Sequence, residues 1–394
     1  FFSGQAMADT DLKASDTHFA LAAWARVDWS TGEFHYYSPP PPHWALYLAT
    51  ASSLLQSYQR SQEKKGLKKL TLEELQQKKV EMTTKHREGR VGTEDHEETN
   101  ADFYSYTDEV SRLAFFLYRV PKHAIGLCDA LKAMHQHLEP VVRQTQEKKK
   151  PLVVSSFGGG PLPDLLGVLV WLHDKQLMSH KQPIIVHVFD TVEWKLIWDH
   201  ALPHISEHFS NLQVHYHVCD VTREDPKTVV PRDTDLFVFA YFMIEMCAFP
   251  ERFQLFFNGM MEVAKPGAKF LSLDPGVAAT KSRAGKLIAS LVDKSRGLAH
   301  LTVSDALLGA GHFDLPRYKY VQWSIIVQME RKAAKENPGY TPRSLPRGKG
   351  KRKKETLIFV KPKYSNRGLI SLWQKPLGQP APTESKPRPT RTPD

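Results

Sequence analysis

The sequence predicts an α/β fold in which a mostly parallel sheet is covered by helices. From Pro151 onwards, short apolar runs alternate with helical patterns, beginning with Leu152-Val-Val-Ser-Ser. A glycine-rich turn, Ser156-Phe-Gly-Gly-Gly-Pro161, directly follows this first run and precedes a helical pattern. Strands that alternate with helices are typical of parallel sheets, because each parallel crossover needs a connection about the length of a helix.

The first 150 residues precede the glycine turn and lack this alternation. Residues 1–42 are predicted to be an irregular extension that ends in four prolines, 39–42, a stiff spacer. Residues 43–150 are predicted to be a helical N-terminal region. Apolar periodicity, a capping box at Thr71-Leu-Glu-Glu and a helix-starting Pro121 predict helices over 43–60, 71–86, 102–118 and from 121 onwards.

Residues 151–363 are predicted to form the α/β domain. Apolar runs predict strands over 152–156, 183–189, 212–218, 235–240 and 269–273, with helices over 165–175, 193–208 and 250–263. Two closing strands are predicted over 318–329 and 355–360, separated by a basic insertion at 343–354. Residues 364–394 are predicted to be a basic, proline-rich tail.

The glycine turn is the sharpest local signal. Glycines after a strand let the backbone approach a ligand where a Cβ would clash, and the first turn of an open α/β sheet is where nucleotide-like ligands bind. Gly158, Gly159 and Gly160 do not follow GxGxxG spacing, and no Walker lysine follows them. A turn that admits a smaller, flatter group is therefore favoured over a pyrophosphate cradle. A tight loop without a ligand is the alternative.

Two acidic residues follow the next two predicted strands. Asp190 ends Val186-His-Val-Phe-Asp, and Asp220 follows His215-Tyr-His-Val-Cys. The first carboxylate can accept both hydroxyls of a ribose, and the second can accept from an adenine amino group while Val221 donates its backbone N–H. Either acid can instead cap a helix or a turn. The order of glycine turn, acid and acid at successive strand ends predicts one shared crevice.

The positive charge is concentrated at the C-terminus. Segment 343–394 holds fourteen Lys or Arg and three Asp or Glu, whereas the rest of the chain holds 39 and 40. A basic tail on a neutral body predicts a polyanionic partner, with RNA first. The candidate phosphate contacts are Arg347, Lys349, Lys351, Arg352, Lys353 and Lys354. A nuclear or nucleolar address, or a solvated loop, would show the same pattern.

The sequence does not favour a membrane-spanning protein, a disulfide-stabilised protein or a metal-binding protein. No run of about 18 apolar residues free of charge predicts a membrane span. Cys128, Cys219 and Cys247 form neither a CxxC pair nor a zinc spacing. His215 and His217 alternate on a predicted strand, and without a third ligand ordinary packing is the favoured interpretation. No metal site is predicted.

Together these residues resemble class I S-adenosylmethionine-dependent methyltransferases. The resemblance covers about 151–363 and rests on Gly158–Gly160, Asp190, Asp220, Phe239-Ala-Tyr-Phe242 and Lys265-Pro-Gly-Ala268. It implies a Rossmann-like seven-stranded sheet with an antiparallel last strand. It also implies S-adenosylmethionine beside the glycines, with its ribose on Asp190 and its adenine near Asp220. The implied cofactor site further includes Phe157, Asp164, Val221 and Ala240.

A closer likeness is to the methyltransferase family that includes fungal 25S rRNA (uridine-N3) methyltransferases. It is carried by Phe157-Gly-Gly-Gly-Pro161 with Asp164, Asp190-x-x-x-Trp194, Tyr241-Phe-Met-Ile-Glu245 and Tyr118-Arg-Val-Pro-Lys-His-Ala124. Leu162-Pro163 stands where that family tends to have small residues, which implies a narrower methionine end of the pocket.

The likeness implies methyl transfer to a uridine nitrogen, a reaction in which the protein mainly holds donor and acceptor in line. The imino nitrogen is acidic enough for a carboxylate to assist its deprotonation, and Glu245 is the candidate for that role. Tyr241 is the second catalytic candidate. A solvated glutamate in a first helical turn is the alternative for Glu245.

Two functional hypotheses follow, and fold alone does not decide between them. One is an enzyme that methylates a ribosomal RNA base. The other is a structural or assembly component of a ribosome or mitochondrial ribosome, with little or no activity and with ribosomal proteins or a large ribonucleoprotein as partners. A removed organelle presequence would explain a chain that begins at Phe1, which predicts a mitochondrial location; a nucleolar or cytoplasmic location is the alternative.

Overall fold

The computed structural model describes residues 25–28, 31, 33–36, 42–70, 74–75, 77–78, 80–82, 106, 108–178, 182–275, 286–287, 290–291, 299–308 and 366–374. The first elements are strands β1 (Ala25–Asp28) and β2 (Glu33–Tyr36), which pair antiparallel. Residues 1–42 were expected to be irregular, so this hairpin corrects the prediction. The backbone N–H of Glu33 donates to Thr31 Oγ1 at 3.2 Å, a turn contact that apolar patterning does not reveal.

Helices dominate the rest of the described N-terminal region. They are α1 (Pro42–Lys64), α2 (Glu109–Tyr118), α3 (Val120–Ala133) and α4 (His135–Glu147), and the described residues between 74 and 82 are also helical. Helix α2 begins later than the predicted residue 102, because the Asp108 side chain accepts from Ser111 N at 2.8 Å and caps it there. Pro121 lies in the first turn of α3, as predicted.

The centre of the fold is a parallel sheet, which confirms the predicted α/β class. Its parallel strands are β3 (Leu152–Phe157), β4 (Ile184–Asp190), β5 (Leu212–Val218), β6 (Leu236–Ala240) and β7 (Lys269–Pro275). They lie in the spatial order β5-β4-β3-β6-β7. Every residue of β3 and β6 is buried, as expected for central strands covered on both faces.

Helices connect the strands and cover both faces. Among the described residues these are α5 (Pro163–Asp174), α6 (Lys195–His208), α7 (Pro226–Val229), α8 (Met243–Met246) and α9 (Pro250–Val263). Helices α1 to α6 share one buried core with one face of the sheet, whereas α9 packs on the other face among phenylalanines. Within the described part of the chain, no helix is both long enough and apolar enough to cross a bilayer.

The N-terminal helices dock tightly on the α/β unit through α3 and α5. Gly167 of α5 permits the close approach: a Cβ there would lie 2.9 Å from the carbonyl oxygen of Ala124 and 2.9 Å from Cβ of Leu127. Helix α5 is buried along most of its length. The helical region therefore shares a core with the sheet.

Two further strands extend the sheet beyond β7. These are β8 (Ala299–Leu308) and β9 (Asn366–Gln374); β9 pairs antiparallel with β7, and β8 pairs antiparallel with β9. The closing strands predicted over 318–329 and 355–360 lie outside the described residues. Strand β9 falls in the stretch that the sequence assigned to the tail, where an apolar run, Leu369-Ile-Ser-Leu-Trp373, supplies a strand-forming segment.

Candidate ligand site at the carboxyl edge of the sheet

The predicted crevice lies where β5, β4, β3 and β6 end side by side. The backbone N–H of Gly158, after β3, donates to Phe189 O at 2.8 Å, and the N–H of Cys219, after β5, donates to Asp190 O at 2.9 Å. These bonds extend the parallel ladders past the strand ends. They place the glycine turn and the loops that carry both acids at one edge, where open α/β sheets bind ligands.

The glycine turn is held in an unusual backbone conformation. Gly158 has φ +66° and Gly160 has φ +50°, in the left-handed region that side chains disfavour. A Cβ on Gly158 would overlap the Phe242 ring, and a Cβ on Gly159 would overlap Ser156 Oγ. Close packing thus requires glycine at positions 158 and 159, and the backbone conformation favours glycine at positions 158 and 160.

Asp190 is joined directly to the glycine turn. Its Oδ2 accepts from Gly160 N at 3.0 Å, and its Oδ1 accepts from Val192 N at 2.8 Å. Burial raises the pKa of Asp190 to about 6, against the opposing effect of these N–H groups. A carboxylate has about four acceptor positions, so these two backbone bonds leave others open.

Trp194 is a site residue that the sequence argument used only as a family marker. Its side chain is buried, and its indole Nε1 has no hydrogen-bond partner of good geometry among the described residues. The same indole helps to hold the pKa of Asp190 down, which places its N–H beside the carboxylate. The indole N–H of Trp194 and the Asp190 carboxylate therefore lie together at the same end of the site.

Asp164 supports the turn from the interior. It is 3% exposed, and Ser156 Oγ donates to its Oδ2 at 2.5 Å. Burial, reinforced by the charge of Asp190, raises the pKa of Asp164 to about 7, with the Ser156 hydrogen bond acting in the opposite direction. Asp164 therefore fixes Ser156 beneath Gly159. Phe157, the residue before the turn, is fully buried between the rings of Phe189 and Phe239.

Asp220 makes local contacts. Its Oδ1 accepts from Thr222 N at 2.9 Å and from Thr222 Oγ1 at 2.7 Å, and its Oδ2 lies 3.2 Å from Arg223 Nε. This arrangement matches the turn-capping alternative, and the backbone bond between Cys219 and Asp190 keeps the residue at the same edge. Val221, the proposed backbone donor, is buried.

The two catalytic candidates follow β6. Tyr241 has φ +60°, rare for a residue with a side chain, and its ring stacks on His123 of α3 with centroids 4.2 Å apart. Its hydroxyl lies against Gly126, where a Cβ would overlap it. Glu245 lies in α8 and is partly buried, and Ala240 is buried at the end of β6.

Phe115, from the N-terminal helix α2, lies beside the glycine turn. Phe115 approaches Gly160, where a Cβ would be 3.6 Å from its ring. The rings of Tyr106, Phe115 and Trp194 lie with pairwise centroid distances of 5.0–5.1 Å. The sequence analysis did not assign Phe115 to the site, because only the docking of α2 on the sheet brings it there. The basic residues proposed to contact RNA, 347–354, lie outside the described residues.

Comparison with known proteins gives only weak structural similarity. No family model and no curated protein sequence matches the chain. Similar solved structures include a loganic acid methyltransferase with SAH (11% identity, 66% of this chain and 96% of that one, TM-score 0.38). Others are the [4+2]-cyclase SpnF (16%, 58% and 76%, 0.32) and the plantazolicin methyltransferase BpumL with a monoazolic desmethylPZN analog and SAH (9%, 77% and 99%, 0.36). At this level of similarity they carry no conclusion about the reaction or substrate of this chain.

Proposed function

We propose that this chain is an S-adenosylmethionine-dependent methyltransferase of the class I type, with a seven-stranded sheet completed by β9 and β8. The observation that carries the proposal is the hydrogen bond from Gly160 N to Asp190 across neighbouring strand ends, with the buried indole N–H of Trp194 beside the same carboxylate. A ribose fits this set of groups, because its two hydroxyls can donate to the carboxylate and accept from the indole.

Different residues would contact different parts of the cofactor. Asp190 and Trp194 would hold the ribose, the Gly158–Gly160 backbone would lie along the methionine part, and the Val221 backbone N–H would meet the adenine. S-adenosylmethionine supplies an electrophilic methyl group when bound. The remaining task of the chain is to orient an acceptor in line and remove its proton, for which Glu245 is the candidate base.

We propose an RNA base as the acceptor, of the uridine-N3 type in ribosomal RNA. The supporting feature is the net positive charge of segment 343–394, which suits a phosphate backbone. The alternative is a structural or assembly component of a ribosome that keeps the fold without turnover. A mitochondrial location remains a prediction.

Calorimetric titration of S-adenosylmethionine into the full chain tests the cofactor proposal. Asp190→Asn keeps the shape but removes the charge, so affinity should fall about 10- to 100-fold, the loss of about 1.5–3 kcal/mol expected for charged hydrogen bonds. Asp225→Asn is the matched control, because the Asp225 side chain caps the short helix α7 by accepting from Lys227 N. Equal affinity in Asp190→Asn and wild type would remove Asp190 from the site, and absence of binding by the wild type would favour the structural alternative.

Filter binding of ribosomal RNA at several salt concentrations tests the acceptor class. Replacing the six basic residues between Arg347 and Lys354 with Ala should weaken binding and flatten its salt dependence, since each lost phosphate contact lowers the slope by about one. An unchanged slope would contradict a role for this segment in RNA binding.

A further inference from the structure

A row of aromatic rings crosses the candidate cofactor site. It runs from Trp194, beside Asp190, through Phe115 and His123 to Tyr241, and neighbouring centroids are 5.0, 6.1 and 4.2 Å apart. Trp194 follows β4 and Tyr241 follows β6, and the strand between these two is β3, which ends in the glycine turn. The row therefore joins the loops on either side of the glycine turn.

The two ends of this row differ in burial. Trp194 is 2% exposed and Phe115 is 9% exposed, so both rings belong to the core. His123 and Tyr241, which stack on each other with an interplanar angle of 23°, are partly exposed. Rings that keep exposed surface beside a ligand crevice can contact a second molecule, whereas buried rings mainly contribute packing.

Tyr241 lies next to the glycine turn. Strand β6 pairs with β3, and the ring of Phe242, the next residue, approaches Gly158 so closely that a Cβ there would overlap it. The backbone N–H of Tyr241 donates to Leu273 O at 2.5 Å while its φ is +60°, a conformation that is kept where the surrounding structure fixes it, often at functional sites. In the proposed cofactor arrangement the methionine part lies along Gly158–Gly160, so Tyr241 borders the part that carries the methyl group.

His123 is brought to the same edge by the direction of α3. It lies in the first turn of that helix, and the next residue, Ala124, lies against Gly167 of α5. At the other end of both helices, Lys132 Nζ donates to Asp174 Oδ2 at 2.5 Å. Helix α3 therefore runs alongside α5 from the carboxyl edge of the sheet to the amino edge, with His123 at the carboxyl edge.

We propose that the stacked rings of His123 and Tyr241 bind the methyl acceptor, and that this acceptor is a planar heteroaromatic ring of the uracil type. The inference rests on the proposed function, because it assigns the acceptor end of the same site. A nucleobase that stacks on an aromatic side chain gains about 1–3 kcal/mol. Imidazole and phenol also carry donor and acceptor atoms at their edges, which suit the carbonyl and imino groups of uracil.

The test is photocrosslinking of the purified full chain to a short RNA oligonucleotide that contains 4-thiouridine, followed by peptide mapping by mass spectrometry. In the wild type, a crosslink should form on Tyr241 or His123. His123→Leu removes one ring of the pair and, below saturation, should lower the crosslink yield at Tyr241 about tenfold, which corresponds to about 1.4 kcal/mol. His123→Phe keeps a ring at this position and should restore most of the yield.

His137→Leu is the matched control. His137 is another partly exposed histidine in a helix, but it lies in α4, beyond the end of α3 that Lys132 and Asp174 join at the opposite edge of the sheet. Its crosslink yield at Tyr241 should equal that of the wild type. Urea unfolding of each variant checks that a lost crosslink does not reflect a lost fold.

Absence of a crosslink on both residues in the wild type would overturn the proposal, and this result needs no variant. Equal yields at Tyr241 in His123→Leu and wild type would also overturn it. Calorimetry with S-adenosylmethionine separates the two levels of the argument. A wild type that binds the cofactor but forms no crosslink at the pair keeps the cofactor site and refutes the acceptor assignment. A wild type that forms the crosslink without binding the cofactor refutes methyl transfer, and with it the acceptor role.

Discussion

Gly159→Ala offers a test of how the glycine turn is supported. The φ angle of Gly159 is not positive, so alanine is compatible with the backbone there, and the cost arises from space. The new Cβ would overlap Ser156 Oγ and lie 3.3 Å from Asp164 Oδ2. Ser156 must then turn away from Asp164 and break a buried hydrogen bond of 2.5 Å.

The expected loss of stability in Gly159→Ala follows from the broken Ser156–Asp164 hydrogen bond. A buried carboxyl that loses its partner costs about 1–3 kcal/mol. Replacing glycine with alanine also lowers the conformational entropy of the unfolded chain, which offsets about 0.4–1 kcal/mol of this cost. Ser156→Ala removes the same hydrogen bond and also the clashing oxygen, so the two substitutions should not be additive. The double variant should be about as stable as Ser156→Ala alone.

Urea unfolding of the four proteins in this cycle measures the coupling. Gly160→Ala is the control, because its Cβ would meet nothing closer than 3.6 Å but φ +50° costs about 1–2 kcal/mol by itself. Its cost should add to that of Ser156→Ala. Additive costs for Gly159→Ala and Ser156→Ala would refute the contact between this turn and the Ser156–Asp164 pair.

Two further predictions concern the same core. The pKa values of Asp164 and Asp190 are raised in the folded protein, to about 7 and about 6, so both groups favour folding in their protonated forms. Their contribution to the free energy of unfolding is complete below the unfolded pKa of 3.8 and is lost as pH rises through 6 and 7. Urea unfolding between pH 4 and 8 should therefore show a shallower decline for Asp164→Asn than for the wild type, and parallel curves would contradict the assigned pKa shift. Gly167→Ala should lower the free energy of unfolding by about 1–3 kcal/mol, because the Cβ meets the backbone oxygen of Ala124 at 2.9 Å, although alanine is the better helix former by about 1 kcal/mol. Gly66→Ala is the comparison variant, because a Cβ there would meet no atom within 4 Å and its cost would come from φ +64° alone. An unchanged free energy of unfolding in Gly167→Ala would contradict the tight docking of α3 on α5.

Much of the α/β unit was accessible from sequence because its signals are local. Apolar runs marked all five parallel strands, and the glycines between β3 and α5 marked the turn. Parallel pairing carries the ends of successive strands to one edge, so the convergence of Gly160 and Asp190 was predictable as well. The hairpin β1–β2 was missed, because its short strands lack a strong apolar pattern.

The sequence by itself determined the strand-and-helix alternation, the location of the glycine turn and the separation of a neutral body from a basic C-terminus. These depend on the periodicity and composition of neighbouring residues. Only the tertiary structure decided which distant groups meet: Phe115 against Gly160, Tyr241 against His123 and Gly126, and His187 beside His215 and His217. Such contacts join residues far apart in the chain, and they depend on strand register and helix docking, neither of which any single segment encodes.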